Sequence, residues 1–352
     1  MKISIGTNIK EGPWGGGNLF AINLKNFLIK NGHQVVHNLD DDDIDLILIT
    51  EPRKTSESSA FTHLDVKNYI NFVKEDAIVV HRINECDERK NTNFVNKYMI
   101  EANKISDYTV FVSSWLKDLY TNQGMDHENK IVILAGADKK IFNSKEKSKW
   151  NSIEPLNLVT HHWGANINKG FDVYKKLDQL IGNETWNKKI NFTYIGNLPK
   201  NFNFKNAIHL NPLSGNELAS EIKKNHVYIT GSLNEPSGNH HIEGAQCGLP
   251  IMYINSGGID EYCKGFGVDY DIDNLERKVN YVLQNYTTLE SNMTNYPHDA
   301  EKMCNDFLNL FENLIEKKSD VLSKRQIPKP SRFESKLYKY KKQVFDLIKK
   351  QN

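Results

Sequence analysis

The sequence predicts an α/β protein made of two doubly wound domains that face each other across a cleft. Three observations carry this expectation. Short apolar runs alternate with helical patterns along nearly all of the 352 residues, which is the order of a parallel sheet covered by helices on both faces. A polar, Lys- and Ser-rich stretch, Asn143–Asn151, interrupts the alternation and reads as a linker. The same alternation then restarts, and glycine-containing segments fall at strand-to-helix turns in both halves, where doubly wound sheets bind ligands.

In the first half, Lys2–Gly6 reads as a strand and Asn18–Lys30 as a helix ended by Asn31-Gly32. Gln34–His37, Ile44–Thr50, Ala77–Ile83 and Tyr108–Val112 are apolar runs of the buried-strand type. Helical patterns at His63–Glu75, Asn93–Ser106 and Ser114–Asn122 lie between them, and Ile131–Leu134 closes the unit. In the second half Leu156–Thr160, Ile190–Ile195, Ala207–Leu210, His226–Thr230, Ile251–Ile254 and Gly267–Tyr270 read as strands. Helices are expected at Gly170–Ile181, Ser214–Lys224, Gly258–Cys263, Leu275–Gln284 and Ala300–Glu316. Ser214-Gly215-Asn216-Glu217 has the form of a capping box. In the tail Phe333–Lys350, the residues Phe333, Leu337, Tyr340, Val344 and Ile348 recur at helical spacing opposite a Lys-rich face. That pattern fits a helix packed on a domain, with peripheral contact to a membrane surface as the sharper alternative.

Composition narrows the partners. Lys+Arg 45 against Asp+Glu 44 leaves a net charge of +1, which argues against nucleic acid as the main ligand. The four cysteines show no CxxC spacing, so a reducing compartment is expected and a structural zinc site is not. The start is too short and polar for a signal peptide, and no run of about 18 apolar residues exists. A cytoplasmic protein is the expectation.

The segment Glu235-Pro236-Ser237-Gly238-Asn239-His240-His241-Ile242-Glu243 is the most informative for chemistry. It follows a strand and enters a helix, so free N–H groups lie between two carboxylates and suit a diphosphate. Extended and helical rises place the two carboxylates very roughly 8–17 Å apart. Retaining glycosidases need about 5–5.5 Å, so the pair reads as two grips on one elongated ligand. Gly15-Gly16-Gly17 occupies the first strand-to-helix turn, where backbone amides can approach a phosphate. Phe20 stands where a dinucleotide fingerprint would want its third glycine. Lys169 sits at the corresponding turn of the second half, where a cation could neutralise a departing diphosphate. Gly257-Gly258 opens another helix, and His81 ends a strand on the rim of the presumed cleft. Adjacent histidines at 161–162 and 240–241 point apart, so no metal is expected there. Asp40–Asp43 reads as a solvated loop rather than a D-x-D metal motif.

Taken together, these elements resemble the retaining glycosyltransferases of the GT-B fold, family 4, over nearly the whole chain. The residues that carry the resemblance are Gly15-Gly16-Gly17, the cross-over Leu134-Ala135-Gly136-Ala137-Asp138 with Phe142, Lys169-Gly170, the Glu235/Glu243 pair, Gly248-Leu249-Pro250 and Gly257-Gly258-x-x-Glu261. The resemblance implies two Rossmann-like domains with the last helix crossing back. Residues 1–145 plus about 330–352 would form the acceptor side, and 150–329 the donor side. It implies transfer of a hexose from a UDP- or GDP-sugar to a glycan, lipid-linked or other hydroxyl acceptor, with retention and without a metal or other cofactor. Glu243 would hold the ribose, and Glu235 the transferred sugar. Gly238, Asn239, His240 and Gly258 would meet the diphosphate or sugar, and Lys169 the leaving group. Gly16 and Gly17, beside Gly15, would approach the phosphates from the other domain, and His81 would lie near the sugar. One departure stands out: the family often carries an arginine five positions before the lysine, and here that position is Gly164. Asn166, Asn168 or Arg82 are the expected substitutes. Two other readings are a non-catalytic nucleotide-sugar binder and a Rossmann oxidoreductase; the latter leaves the second half unexplained.

Overall fold

The computed structural model describes residues 1–10, 12, 15–125, 128–327, 330–338 and 340. Two parallel six-stranded sheets form its centre. The first contains β1 (Lys2–Ile5), β2 (Gln34–Val36), β3 (Leu46–Ile49), β4 (Ile78–Ile83), β5 (Tyr108–Phe111) and β6 (Lys130–Val132), in the order β2-β1-β3-β4-β5-β6. Its flanking helices are α1 (Gly16–Lys30), α2 (His63–Phe72), α3 (Asp87–Lys90), α4 (Val95–Asn103) and α5 (Ser114–Asn122). The second contains β7 (Leu156–His162), β8 (Ile190–Gly196), β9 (Ile208–Leu210), β10 (Val227–Thr230), β11 (Ile251–Tyr253) and β12 (Gly267–Asp269), in the order β12-β11-β10-β7-β8-β9. Around it lie α6 (Phe171–Ile181), α7 (Gly215–Lys223), α8 (Asn239–Gln246), α9 (Ile259–Cys263) and α10 (Leu275–Asn292). Then follow α11 (Ala300–Glu316) and α12 (Lys318–Ser323). The strand order reverses beside β1 in the first sheet and beside β7 in the second, so each sheet opens a ligand crevice at the end of its first strand.

Every residue of β3, β4, β10 and β11 is buried. That is why these strands read as unbroken apolar runs rather than alternating ones. The expected helix boundaries hold to within a turn, with four exceptions. Helices α3 and α12 fall outside every expected helix. Helix α10 runs eight residues past Gln284 to Asn292. Ser214 makes no side-chain cap bond, because Gly215 turns the chain left-handed (φ +54°) at the first helical position. A true capping box forms instead at Thr62 and Asp65. The acidic loop is spent on structure: Lys2 bridges Asp41 and Asp43 at 2.7 Å.

The chain meets the first unit again well before residue 330. Helix α11 lies along α1, with the Phe20 and Phe307 rings 5.1 Å apart. Gly136 and Asp299 touch so closely that a β-carbon at 136 would sit 2.1 Å from the Asp299 backbone. After α12, Arg325 reaches Asp107 of the first unit. Residues 332–338 are helical, and Tyr338 stacks on Phe72 of α2 at 4.3 Å. Val344 and Ile348 of the expected tail helix lie outside the described residues, as do Pro13 and Trp14 beside the glycine loop. Among the described residues, no helix is long and apolar enough to cross a membrane.

Candidate functional site

The two sheets enclose a cavity of about 670 Å³, lined from both units. The glycine loop forms one wall. Gly15 adopts φ +80° and starts α1, and Gly16 and Gly17 follow in its first turn with no acidic or capping side chain over their amides. Asn18 closes the loop on itself, accepting from the Lys10 N–H at 2.9 Å and donating to the Lys10 carbonyl at 2.8 Å. A β-carbon on Gly16 would sit 2.8 Å from the Asn239 side chain. Glycine at 16 therefore lets the first unit close onto the start of α8 in the second.

The opposite wall is the turn from β10 into α8. Gly238, at φ +75°, is the residue before the helix, and a β-carbon there would strike the His241 ring at 2.5 Å. Asn239 and His240 open the helix and line the cavity. Glu235 precedes the turn and is buried. Its Oε2 accepts from Lys169 Nζ at 3.1 Å and from Arg89 Nε of α3 at 2.9 Å. Burial opposes ionisation of this carboxyl, but Lys169 and Arg89 outweigh it and hold it down to about 2. The Lys169 ammonium is lowered by burial and by Arg89, against the pull of Glu235. Lys169 owes its place to the tight β7–α6 turn, where Gly170 at φ +98° lies against the Gly231 backbone at a distance only glycine tolerates.

Glu243, one turn into α8, is also buried. Its Oε2 lies 2.7 Å from His161 Nε2, and His161 Nδ1 lies 3.1 Å from the Tyr228 hydroxyl. Two further histidines complete this polar floor. His162 Nε2 meets the Tyr174 hydroxyl at 2.7 Å, and His240 Nε2 meets the Thr230 hydroxyl at 2.9 Å. Burial pushes His162 and His240 far below the usual imidazole range, and His241 down to about 3, so these rings are neutral at pH 7. Among the described residues, no three His, Cys, Asp or Glu side chains gather as a metal would require.

Gly15, Gly16, Gly17, Lys169, Glu235, Gly238, Asn239, His240 and Glu243 thus converge on one cavity. Two expected site residues do not. His81 is fully buried in β4, with its Nδ1 3.1 Å from the Asn103 amide of α4. The period-two alternation of the strand gives the cleft face to its neighbour Arg82 instead. Gly258 is used for close packing: a β-carbon there would lie 2.5 Å from Ser113 and from the Pro236 carbonyl, and its N–H donates to the Glu235 carbonyl. The whole Gly257–Glu261 segment clasps the two units together. The Glu261 carboxylate accepts from Ser114 and Trp115 at the start of α5, and the Tyr262 hydroxyl donates to the Val112 carbonyl at 2.5 Å. Arg82, expected as a stand-in for the cation missing at Gly164, has its guanidinium stacked 3.8 Å over the Phe20 ring, and burial pulls it down to about 10. Arg89 carries no local signal in the sequence, and His161 stands there only as one of two adjacent histidines unsuited to a metal.

No protein-family model matches the sequence. No curated protein matches it either. Solved structures do. HepE from Anabaena, crystallised with UDP and glucose, superposes with a TM-score of 0.67 at 13% identity, covering 89% of this chain and 100% of that one. A glycosyltransferase from Rickettsia africae gives 0.64 at 13% identity over 90% and 98%. Sucrose-phosphate synthase from Thermosynechococcus elongatus gives 0.62 at 12% over 90% and 99%. At these identities the likeness concerns the fold: two α/β units with parallel six-stranded sheets, as in GT-B glycosyltransferases.

Proposed function

We propose that this chain is a retaining, metal-independent glycosyltransferase that moves a hexose from a UDP- or GDP-sugar to a hydroxyl acceptor such as a glycan or lipid-linked sugar. The observation that carries the reading is the start of α8. Its free N–H groups face the inter-unit cavity between Glu235, which holds two cations, and Glu243, which is held by His161. Such an arrangement suits a sugar, a diphosphate and a ribose in a row. HepE and TarM, which share the fold, were crystallised with UDP.

In this reading Glu243 accepts from the ribose hydroxyls and Glu235 from the sugar hydroxyls, while α8 and the glycine loop bind the diphosphate. The acceptor oxygen bonds to the anomeric carbon on the face from which the phosphate leaves. The bond from that carbon to the phosphate oxygen breaks, and the acceptor proton passes to the departing phosphate. A carboxylate held near 2 by two cations is a poor nucleophile, so Glu235 fits a positioning role better than a covalent one. Lys169 stabilises charge growing on the diphosphate. Closing the cleft excludes water that would otherwise hydrolyse the donor.

The test is thermal shift with UDP, GDP, ADP and their sugars, since a ligand at ~100 times its dissociation constant adds about 2.7 kcal/mol. No shift with any of them sinks the proposal. A shift with donor left intact against every hydroxyl acceptor tried would leave a nucleotide-sugar binder in its place.

A further inference from the structure

Helix α3 is built to present cations to the cavity. Its carboxylates are turned away: Asp87 caps the start of α4, accepting from the Val95 and Asn96 amides at 2.9 and 3.0 Å, and Glu88 accepts from the Asn96 side chain. Its cations, Arg89 and Lys90, line the cavity. The end of α3 is docked on the second unit, with the Asn168 amide donating to the Arg89 carbonyl and the Asn234 amide to the Glu88 carbonyl, each at 3.3 Å. Lys90 is balanced by Glu85 at 2.7 Å. Arg89 is not balanced in the same way. It shares one carboxylate oxygen with Lys169, so a buried and a half-buried cation face a single counter-charge, and His162, His240 and His241 beside them are neutral. Only Nε of the guanidinium has a hydrogen-bond partner among the described residues. A surplus buried positive charge is costly until an anion joins it.

We propose that Arg89 is a second ligand-contacting cation for a diphosphate. The anion would bridge Lys169 of one unit and Arg89 of the other, so that binding the diphosphate locks the cleft shut. The inference rests on the nucleotide-sugar reading for the identity of the anion. The fork of the guanidinium suits two phosphate oxygens in a way an ammonium does not.

The probes are inorganic pyrophosphate, the nucleoside diphosphate that stabilises the protein, and the matching monophosphate. They are titrated by calorimetry into wild type, Arg89→Gln and Arg89→Lys. Thermal melts confirm that the variants fold. Expected is a loss of about tenfold or more in diphosphate and pyrophosphate affinity in Arg89→Gln, partial recovery in Arg89→Lys, and a much smaller change for the monophosphate. Equal affinity of wild type and Arg89→Gln for the diphosphate would overturn the role. So would an equal loss for mono- and diphosphate, which marks a structural ion pair only. If wild type binds no nucleotide yet takes pyrophosphate in an Arg89-dependent way, the nucleotide-sugar reading falls and the anion site stands. If wild type binds none of the three probes, both fall.

Discussion

His161 Nε2 and Glu243 Oε2 stand 2.7 Å apart, tying the end of β7 to the first turns of α8 beneath the cavity floor. The Tyr228 hydroxyl lies 3.1 Å from the other ring nitrogen, so two side chains from two strands fix the carboxylate of the helix. If that carboxylate grips the ribose, Glu243→Ala weakens nucleotide binding, whereas Glu235→Ala spares it and loses transfer. His161→Phe leaves Glu243 buried and unpaired, a cost of about 1–3 kcal/mol in stability. It also weakens nucleotide binding, and His161→Gln recovers part of both. Calorimetry and urea melts check this. Unchanged nucleotide affinity in Glu243→Ala would remove the ribose role.

Gly16 and Asn239 meet across the cleft from opposite units. A β-carbon at 16 would sit 2.8 Å from the tip of the Asn239 side chain, while the backbone at 16 needs no positive φ. The clash is therefore one of closure rather than of folding. Gly16→Ala is expected to melt near wild type and to lower turnover, and adding Asn239→Gly is expected to restore much of the loss. A double-mutant cycle on kcat measures the coupling. Additive losses would show that the contact does not govern closure.

How much of this was legible in the sequence depends on sequence separation. Buried parallel strands are short apolar runs, and the glycines at 15, 170 and 238 sit where the chain must turn with positive φ, so fold and cavity walls could be read locally. The Arg89–Glu235 pair joins residues 146 positions apart, and nothing near Arg89 announces it. His81 was misplaced because a fully buried strand has no polar face to fix its alternation, leaving Arg82 an equal contender for the cleft. Gly258 failed for a related reason. Close approach to Ser113 demands the same missing side chain as close approach to a ligand. The Phe20–Phe307 contact is likewise invisible to local pattern, because it joins two helices far apart in the chain.

Acid should weaken the fold in two overlapping windows. Burial lowers His226 and His298 to about 4 and His241 to about 3 in the folded chain, against about 6.5 unfolded. Between those values the unfolded chain binds more protons, so this stability is complete above about 6.5 and drains as pH falls towards 4. Glu235 adds a second loss. Held near 2 by Lys169 and Arg89 against its burial, it contributes fully above about 4.3 and loses that contribution as pH falls through about 2. Urea melts between pH 7.5 and 4.5 should show a falling midpoint below 6.5, flattened by His241→Asn. A midpoint unchanged across that range would mean that these rings are protonated in the fold.

Arg325 anchors the returning chain to the first unit. Its Nε and Nη2 donate to both oxygens of Asp107 at 2.8 and 2.6 Å, and its remaining bonds go to the Glu75 and Ala77 carbonyls. The Asp107 side chain is wholly covered, and its other side-chain bond is the Val79 N–H at 2.7 Å. Arg325→Met strands that carboxylate and is expected to cost about 3–5 kcal/mol. Arg325→Lys, lacking the fork, should fall between. Pairing Arg325→Met with Asp107→Asn removes the stranded charge and should recover part of the loss. The neighbouring Lys318–Asp76 bridge, at 2.5 Å but half exposed on its acidic side, should matter far less, by about 0–1 kcal/mol on Lys318→Ala. Urea melts of the four variants decide it. If Arg325→Met unfolds with wild type, the hold on the first unit lies in packing, chiefly that of α1 on α11 around Phe20 and Phe307, and not in this ion pair.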